Sequence, residues 1–267
     1  MSKMFFLKLG GSLITDKSSA NTPKLKIIGR IAAEIAEYHS SNPETKLIIG
    51  HGSGSFGHHA AKKHGTYDGV KSKEDWAGFF KVWYRARELN NIVTEALQKA
   101  GLPVISFSMS TSANVSNHII QKITLEPIKT TIAKGGIPLV YGDVVFDQIL
   151  GGTILSTEDI FVYLAKIFSP DRILLAGIEA GVFADYPHKQ NLIPVINPDN
   201  YENTKKEITG SAAPDVTGGM ESKVDNMLSI LAGLPHASIQ IFSGMEPGSV
   251  KEVLENHVSG TIISNKS

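Results

Sequence analysis

Residues Met4–Ser12, MFFLKLGGS, join a short apolar run to two glycines and a serine. The run has the length of one buried strand, and the glycines allow a tight turn directly after it. The same arrangement recurs three times: Leu47–Ile49 before His51-Gly52, Pro138–Tyr141 before Gly142-Asp143, and Ile173–Ala176 before Gly177. Two further apolar runs, Val104–Phe107 and Ile239–Phe242, bring the predicted strands to six.

Helical periodicity separates these strands. The predicted helices are Lys24–Tyr38, Lys73–Ala100, Ile128–Lys134, Thr157–Phe168, Ser222–Leu234 and Val250–Asn256, with Ser156 or Thr157 as an N-cap. A hairpin is predicted over Val144–Leu155, with Gly151-Gly152 at its turn. The alternation predicts one α/β domain over residues 1–267, a three-layer α/β/α sandwich with a mainly parallel central sheet. Ligands of such sheets bind at the carboxyl ends of the strands, where these glycines lie.

Composition excludes several classes of protein. The 267 residues hold 26 Lys plus Arg against 26 Asp plus Glu, which argues against a nucleic-acid partner. The absence of Cys removes disulfides, thiolate metal sites and Cys nucleophiles. The first residues do not resemble a signal peptide, and no run approaches the ~18 apolar residues of a membrane span. We therefore expect a cytoplasmic protein without a membrane partner.

The loop His51–His58, HGSGSFGH, is the most conspicuous motif. Gly52, Gly54 and Gly57 satisfy the dinucleotide pattern GxGxxG, but that pattern belongs to a compact βαβ unit, and the next predicted strand begins only at Val104. The ordinary P-loop pattern GxxxxGK[ST] is missing. Small residues before a helix start can instead form a nest of backbone amides that binds an anion. A tight turn without a ligand is the plainer alternative.

Two other glycine turns have a lysine nearby. Lys8 precedes Gly10-Gly11-Ser12, and Lys223 follows Thr217–Met220, TGGM. Together with the His51–His58 loop, these turns predict one large site for a polyphosphate. The histidines His58, His59 and His64 match no common metal-ligand spacing and have no carboxylate close by in the sequence, so no protein metal site is expected.

Five segments of the sequence resemble a known family. The segments that carry the resemblance are Lys8–Ser12 (KLGGS), Ile14–Lys17 (ITDK), His51–His58 (HGSGSFGH), Tyr141–Asp143 (YGD) and Asp215–Lys223 (DVTGGMESK). They look like the amino acid kinase superfamily and, within it, most resemble the isopentenyl phosphate kinase family. The resemblance runs from about Lys3 to Ile263. It implies transfer of the γ-phosphoryl group of ATP to isopentenyl phosphate, with Mg²⁺ accompanying the nucleotide.

The resemblance also implies a role for individual residues. Lys8 and Lys223 would contact the ATP phosphates, Lys17 would stabilise the transferring group, and His58 would hydrogen-bond the acceptor phosphate. The remaining ATP-side positions are Gly10, Gly11, Ser12, Ser53, Gly177, Phe183 and Gly219, and the other acceptor-side positions are Gly52, Gly57 and Gly142. The acceptor-binding lobe would comprise roughly residues 1–170, and the nucleotide-binding lobe roughly residues 171–267. Members of the superfamily often dimerise, so a homodimer is expected.

Two stretches depart from the family pattern. Related kinases carry TDVDG after the fifth strand, whereas this chain has Gly177–Gly181, GIEAG, so its nucleotide contacts can differ. Related kinases carry SGD before a helix, where an Asp orients the lysines, and this chain has Ser156–Asp159, STED. Glu158 is the direct match and Asp159 is the alternative.

The segment Trp76–Asn90 is expected to supply selectivity for the acceptor. Trp76, Phe79, Phe80 and Trp83 fall on one helical stripe, which is either part of the core or a wall for an apolar five-carbon tail. Three other functions stay open: a kinase of the same superfamily acting on another small phosphate, phosphonate or carboxylate, an NAD(P)-binding reductase, and a nucleotide sensor without catalysis.

Overall fold

The structure, a computed structural model, describes residues 2–185, 187–209 and 220–265, without the side chains of Glu207, Thr209 and residues 220–223. Its strands are β1 (Met4–Leu9), β2 (Lys46–His51), β3 (Val104–Phe107), β4 (Ala113–Ser116), β5 (Ile119–Ile123), β6 (Ile137–Tyr141), β7 (Asp143–Asp147), β8 (Gly151–Leu155), β9 (Arg172–Gly177), β10 (Val182–Phe183), β11 (Leu192–Ile193), β12 (Val195–Ile196), β13 (Ser238–Ser243) and β14 (Thr261–Ser264). Its helices are α1 (Gly11–Ile14), α2 (Leu25–Ser41), α3 (Gly54–His64), α4 (Lys73–Lys99), α5 (Met109–Ser112), α6 (Glu126–Ala133), α7 (Thr157–Phe168), α8 (Tyr201–Thr209), α9 (Met220–Gly233) and α10 (Ser249–Leu254).

The central sheet has the strand order β12-β14-β13-β9-β1-β2-β6-β3. Its six strands from β13 to β3 are parallel, and β14 runs antiparallel to β13. The pairing aligns Leu9 with His51 and Ala176, and His51 with Tyr141, so the glycine turns after these strands lie at one edge. The predicted α/β class with a mainly parallel sheet is confirmed, and the six predicted strands lie in it.

Alternation along β1 explains how the sheet buries both faces. Phe5, Leu7 and Leu9 belong to a core cluster with α2, α4 and α10, whereas Met4 and Phe6 belong to a second cluster with α7 and α9. Because both faces are covered, the strand is almost continuously apolar. Lys8 shares the face of Met4 and Phe6, so it is directed toward α7.

The N-terminal part of α7 lies unusually close to β2. A Cβ atom at Gly50 would lie 2.6 Å from Thr157 Cγ2 and 2.9 Å from the Phe161 ring. The Thr157 hydroxyl donates to the backbone oxygen of His51 at 2.7 Å. Ser156 is the N-cap of the helix, in a reciprocal capping box with Asp159. This contact brings the first turn of α7 to the carboxyl end of the sheet.

A second, four-stranded sheet has the order β5-β4-β7-β8. The predicted hairpin exists, but its predicted turn is wrong: residues 148–150 make the turn, and Gly151 and Gly152 begin β8. The glycines serve close packing instead. Gly151 has φ +76° and abuts the Val70 carbonyl, and a Cβ atom at Gly152 would lie 2.7 Å from Phe79 Cε2.

The Asp147 carboxylate holds two turns of this sheet together. It accepts hydrogen bonds of 2.9 Å from the backbone N–H groups of Asn117, His118, Ile149 and Leu150. Burial works to raise the pKa of Asp147, but these four donors outweigh it and lower the pKa from 3.8 to about 2. Asn117 and His118, both with positive φ, form the β4–β5 turn, a hairpin that the strand pattern did not predict.

The close approach at Gly50 predicts a loss of stability on enlargement. Gly50→Ala should lower the free energy of unfolding by about 1–3 kcal/mol, because the added methyl group overlaps Thr157 and Phe161. Gly29→Ala is the matched control, since no atom lies within 4 Å of its Cβ position. In the exposed middle of α2 the control should gain about 0.5–1 kcal/mol. Urea unfolding measures both variants, and equal stability of Gly50→Ala and wild type would contradict the packing.

The hydrogen bonds to Asp147 predict a pH-dependent stability. Because the folded pKa lies below the ordinary value, the carboxylate stabilises the fold above about pH 4, and this contribution is lost as the pH falls toward 2. Asp147→Asn should therefore lower the free energy of unfolding by about 2 kcal/mol at pH 6, from the pKa shift at ~1.4 kcal/mol per unit. The difference from wild type should shrink between pH 4 and 2. A constant difference would contradict it, and the exposed Glu44→Gln serves as the control.

Candidate active site

One cleft at the carboxyl ends of the parallel strands gathers most of the predicted residues. Those that line it are Lys8, Gly10, Gly11, Ser12, Lys17, Gly52, Ser53, Gly57, His58, Gly142, Glu158 and Gly177. They come from the ends of β1, β2, β6 and β9 and the turns that follow them, from the loop after α1, from the first two turns of α3 and from the first turn of α7. Residues far apart in the sequence therefore meet because parallel strands end at the same edge.

The turn after β1 is held against β9. The Gly10 N–H donates to the Ala176 oxygen at 2.8 Å, and a Cβ atom at Gly10 would lie 2.9 Å from that oxygen. The helix α1 begins at Gly11, so the N–H groups of Gly11 and Ser12 belong to the first turn, where a helix cannot satisfy them itself. Both residues line the cleft and can donate to an anion there.

The turn after β2 differs from the predicted nest of free amides. The N–H of Gly52 donates to Leu9, those of Phe56 and Gly57 donate to Ser53, and that of Ser55 donates to the Thr15 hydroxyl. The glycines instead allow two backbones to touch, since a Cβ atom at Gly11 would lie 2.6 Å from the Gly54 nitrogen. The strand order also argues against a dinucleotide site, because β6 lies between β2 and β3 and the compact βαβ unit is not formed.

Lys8 and Glu158 form an ion pair across the cleft floor. The Lys8 Nζ contacts Glu158 Oε1, and both side chains are mostly buried, 12% and 11% exposed. Glu158 lies in the first turn of α7, where the helix dipole favours a negative charge. Asp159 is engaged elsewhere, because its Oδ2 accepts hydrogen bonds from the backbone and hydroxyl of Ser156. Of the two acidic candidates, only Glu158 contacts Lys8 in the structure.

Lys17 follows the turn after β1, and His58 follows the turn after β2. Lys17 belongs to a loop closed by a backbone hydrogen bond of 2.9 Å between Asp16 and Thr22. His58 lies in the second turn of α3, and the neighbouring His59 Nε2 lies 3.2 Å from the Lys17 backbone oxygen. Both Lys17 and His58 line the cleft, so a cation and an imidazole face the same space.

Asp143 is a buried carboxylate in the cleft wall for which the sequence predicted no separate role. It is 1% exposed and accepts hydrogen bonds from the Ser108 hydroxyl and the Ser110 N–H, at 2.7 and 3.2 Å. Burial raises the pKa of Asp143, and these hydrogen bonds oppose the rise. Burial also raises the pKa of the adjacent Tyr141 to about 12. The YGD stretch at the end of β6 was the sequence signal for this position.

Part of the cleft lining is apolar, and it does not include the aromatic stripe of α4. The apolar side chains Ala61, Tyr67, Val82, Ala86 and Ile154 form what we call the apolar wall. Trp76, Phe79, Phe80 and Trp83 are not among the residues that line the cleft. Phe79 belongs to a buried cluster with Val70, Val82 and Val144, whereas the Phe80 side chain is 56% exposed. Helical spacing grouped the four aromatic residues but did not show which residues of α4 reach the cleft.

Tyr67 of this wall is held by contacts with His118 and Thr153. Its ring stacks on His118 with centroids 4.7 Å apart. The Thr153 hydroxyl donates to the Tyr67 backbone oxygen at 2.8 Å and lies 3.0 Å from His118 Nδ1. Because that hydroxyl has only one proton, which it donates to Tyr67, its oxygen accepts a hydrogen bond from the Nδ1–H of His118. The turn fixed by Asp147 therefore also fixes one side of the cleft.

Three predicted residues are not placed in this cleft. Phe183 lies in β10 and is not among the lining residues in the described part of the chain. Gly219 lies outside the described residues, as does the side chain of Lys223. The altered loop Gly177–Gly181 does reach the cleft, through Gly177, Ile178 and Glu179. Glu179 forms a 2.8 Å ion pair with Lys189.

Comparison with known proteins agrees with this geometry. A family model, described as the amino acid kinase family, matches residues 3–243. Isopentenyl phosphate kinase of Methanocaldococcus jannaschii is 33% identical over 264 residues, covering 96% of this chain and 97% of that relative. The enzyme of the same name from Methanothermobacter thermautotrophicus is 29% identical, covering 98% of this chain and 100% of the relative.

A solved structure of isopentenyl phosphate kinase has the same fold. It superposes with a TM-score of 0.83 at 28% sequence identity, over 98% of this chain and 100% of that one. The match therefore includes the sheet, the helices on both faces and the strand ends that carry the glycine turns. The chain belongs to the amino acid kinase family and, within it, to the isopentenyl phosphate kinases.

Proposed function

We propose that this protein transfers the γ-phosphoryl group of ATP to the phosphate of isopentenyl phosphate, giving ADP and isopentenyl diphosphate. The observation that carries the proposal is a single cleft whose lining combines two kinds of surface. Lys8, Lys17 and His58 supply charged and hydrogen-bonding groups, and the apolar wall, which includes Val82 and Ala86, supplies a hydrocarbon surface. A phosphate monoester with a hydrocarbon tail matches both kinds of surface. An amino acid would need paired charges for its amine and carboxylate instead.

The chemistry explains why lysines rather than a general base surround the site. A phosphate monoester has its second pKa near 6 and is largely a dianion at neutral pH, so it is already a nucleophile. The obstacle is repulsion between two anions, which positive charges and hydrogen-bond donors reduce. In this proposal Lys8 and Lys223 hold the ATP phosphates, Lys17 stabilises the transferring group, and Glu158 orients Lys8. His58 donates a hydrogen bond to the acceptor phosphate.

The two substrates divide the cleft along the chain. The nucleotide would contact Gly10, Gly11, Ser12, Ser53, Gly177, Phe183 and Gly219, and the acceptor would contact Gly52, Gly57, His58 and Gly142. Residues 1–170 thus supply all of these acceptor contacts, whereas the nucleotide contacts come from both residues 1–170 and residues 171–267, on one shared sheet. The contact of Gly10 with Ala176 supports this arrangement, because it joins the two parts at the cleft floor.

Mg²⁺ would enter with ATP and neutralise part of the phosphate charge during transfer. Three cleft carboxylates, Asp143, Glu158 and Glu179, each have a protein partner, namely Ser108, Lys8 and Lys189. Among the described residues no cluster of three metal-ligating side chains occurs. Phosphate oxygens and water, which Mg²⁺ prefers, would therefore supply most of its ligands.

We further propose a homodimer in the cytoplasm, where ATP is available. Exposed apolar side chains support association: Phe80 and Tyr84 on α4, and Phe146 and Ile149 on the neighbouring hairpin, are each more than half exposed. In the described part of the chain no helix has the length and apolar character needed to cross a membrane.

The apolar wall predicts that the tail of the acceptor contributes to turnover. Ethyl phosphate has three carbons fewer than isopentenyl phosphate, which removes about 2.4 kcal/mol of burial at ~0.8 kcal/mol per carbon. Its kcat/KM should be lower by about fiftyfold. An ADP-release assay over C5, shorter and polar phosphates measures this. Equal activity on a polar phosphate such as glycerol phosphate, or no activity on any C5 phosphate, would contradict the proposal.

The proposed role of His58 predicts a loss of turnover without a loss of structure. His58→Asn should lower kcat about a hundredfold, because the shorter side chain withdraws one donor from the reacting phosphate. The matched control is His236→Asn, an exposed position before β13 and remote from the cleft. Circular dichroism should show both variants folded. If His58→Asn and the control have the same kcat, His58 has no part in the mechanism.

A further inference from the structure

Thr15 joins the two glycine turns without lining the cleft. It ends α1 and is completely buried. Its hydroxyl donates to the Gly11 backbone oxygen at 2.6 Å and accepts the Ser55 N–H at 2.9 Å. A hydroxyl has one proton and can accept as well, so both contacts are made at the same time. One side chain therefore bridges the turn after β1 and the turn after β2.

The bridge supplies a cap that α3 does not have from its own N-cap. Ser53 precedes the helix and makes no side-chain capping hydrogen bond. The Ser55 N–H lies in the first turn, where a helix has no backbone partner for it. The hydroxyl of Thr15, forty residues earlier in the chain, accepts the hydrogen bond from this N–H. The start of α3, which carries His58 one turn later, is thus fixed by a residue of the opposite turn.

The backbones of the two turns are in close contact at this junction. Gly54 has φ +49°, and a Cβ atom there would overlap the Thr15 hydroxyl. A Cβ atom at Gly11 would lie 2.7 Å from Gly54 Cα, and one at Gly52 would lie 3.0 Å from the Gly11 nitrogen. The two turns therefore touch along their main chains. Thr15 is the side chain that fastens this contact.

The same junction holds the loop that carries Lys17. The Ser55 hydroxyl accepts the Thr22 N–H at 3.3 Å, and the Ser55 backbone oxygen lies 3.4 Å from the Asn21 nitrogen. A β-bridge between Thr15 and Pro23 closes the loop at its base. Fixing Ser55 therefore fixes Lys17 as well as His58 relative to the first turn.

We infer that Thr15 is a positioning residue that sets the distance between the donor and acceptor phosphates. The inference rests on the proposed function, in which the turn after β1 binds ATP and the turn after β2, apart from Ser53, binds the acceptor. Phosphoryl transfer depends on holding the two reactants in line, with the reacting atoms about 3–3.5 Å apart. A displacement of about 1 Å can cost a hundredfold in rate. Each turn would still bind its own phosphate if the bridge were lost.

The test compares Thr15→Val with Thr15→Ser in the full-length enzyme. Valine keeps the shape but removes the hydroxyl, so kcat should fall by about ten- to a hundredfold. The KM values for ATP and isopentenyl phosphate should each stay within about twofold. Serine keeps the hydroxyl and should restore most of kcat. Thr131→Val removes a hydroxyl that donates to the Pro127 oxygen within α6, and it should leave kcat unchanged.

Amide hydrogen exchange gives a readout that does not depend on activity. In Thr15→Val the segment 52–57 should exchange faster than in wild type and Thr15→Ser. Unchanged exchange there, an unchanged kcat in Thr15→Val, or a Thr15→Ser variant as slow as Thr15→Val would overturn the inference. Wild-type enzyme inactive on every C5 phosphate would contradict the proposed function instead. The Thr15 comparison is then made on the phosphate that wild type does use.

Discussion

A lysine at the buried end of a central strand needs a negative partner, and the rest of the site follows from that requirement. Lys8 lies in β1 among apolar residues, and Glu158 in the first turn of α7 meets it. Removing one member of a buried pair leaves an uncompensated charge that costs about 3–5 kcal/mol. To bring Glu158 within reach, α7 must start directly above β2. The missing side chain at Gly50 allows this approach, and the Ser156–Asp159 capping box fixes where the helix starts.

In the proposed function, the site binds polyanions in a protein with no excess of positive charge. The chain has 26 basic and 26 acidic residues, so no broad basic surface draws phosphates to it. The proposed phosphate contacts are local instead: Lys8 and Lys17, and the first-turn amides of Gly11 and Ser12. Glu158 holds Lys8 in place among them. The proposed acceptor end differs, since its apolar wall would select by burial rather than by charge.

The sequence could predict the parts of this structure that repeat a simple local signal. Short apolar runs ending in glycine identified the six strands of the central sheet, and the glycine turns with nearby lysines identified most of the cleft. The choice between Glu158 and Asp159 could not be made from the sequence, because both follow Ser156 closely. It depends on which carboxylate the capping box uses, and the structure uses Asp159.

Other features depend on distant packing and left little local signal. The β4–β5 hairpin is held by Asp147, thirty residues later in the chain. Gly151 and Gly152 resemble a turn in the sequence but are needed where β8 meets Val70 and Phe79. The apolar wall uses Val82 and Ala86, two ordinary helix residues, instead of the conspicuous aromatic stripe on the same helix.

Following the phosphorus atoms through the reaction would examine the proposed transfer itself. With ATP, Mg²⁺, isopentenyl phosphate and enzyme, 31P NMR should show the monoester singlet replaced by the two coupled doublets of a diphosphate ester. ADP should appear in equal amount. ADP and inorganic phosphate without a diphosphate ester would contradict the account, because they would mean that water rather than the bound monoester receives the γ-phosphoryl group.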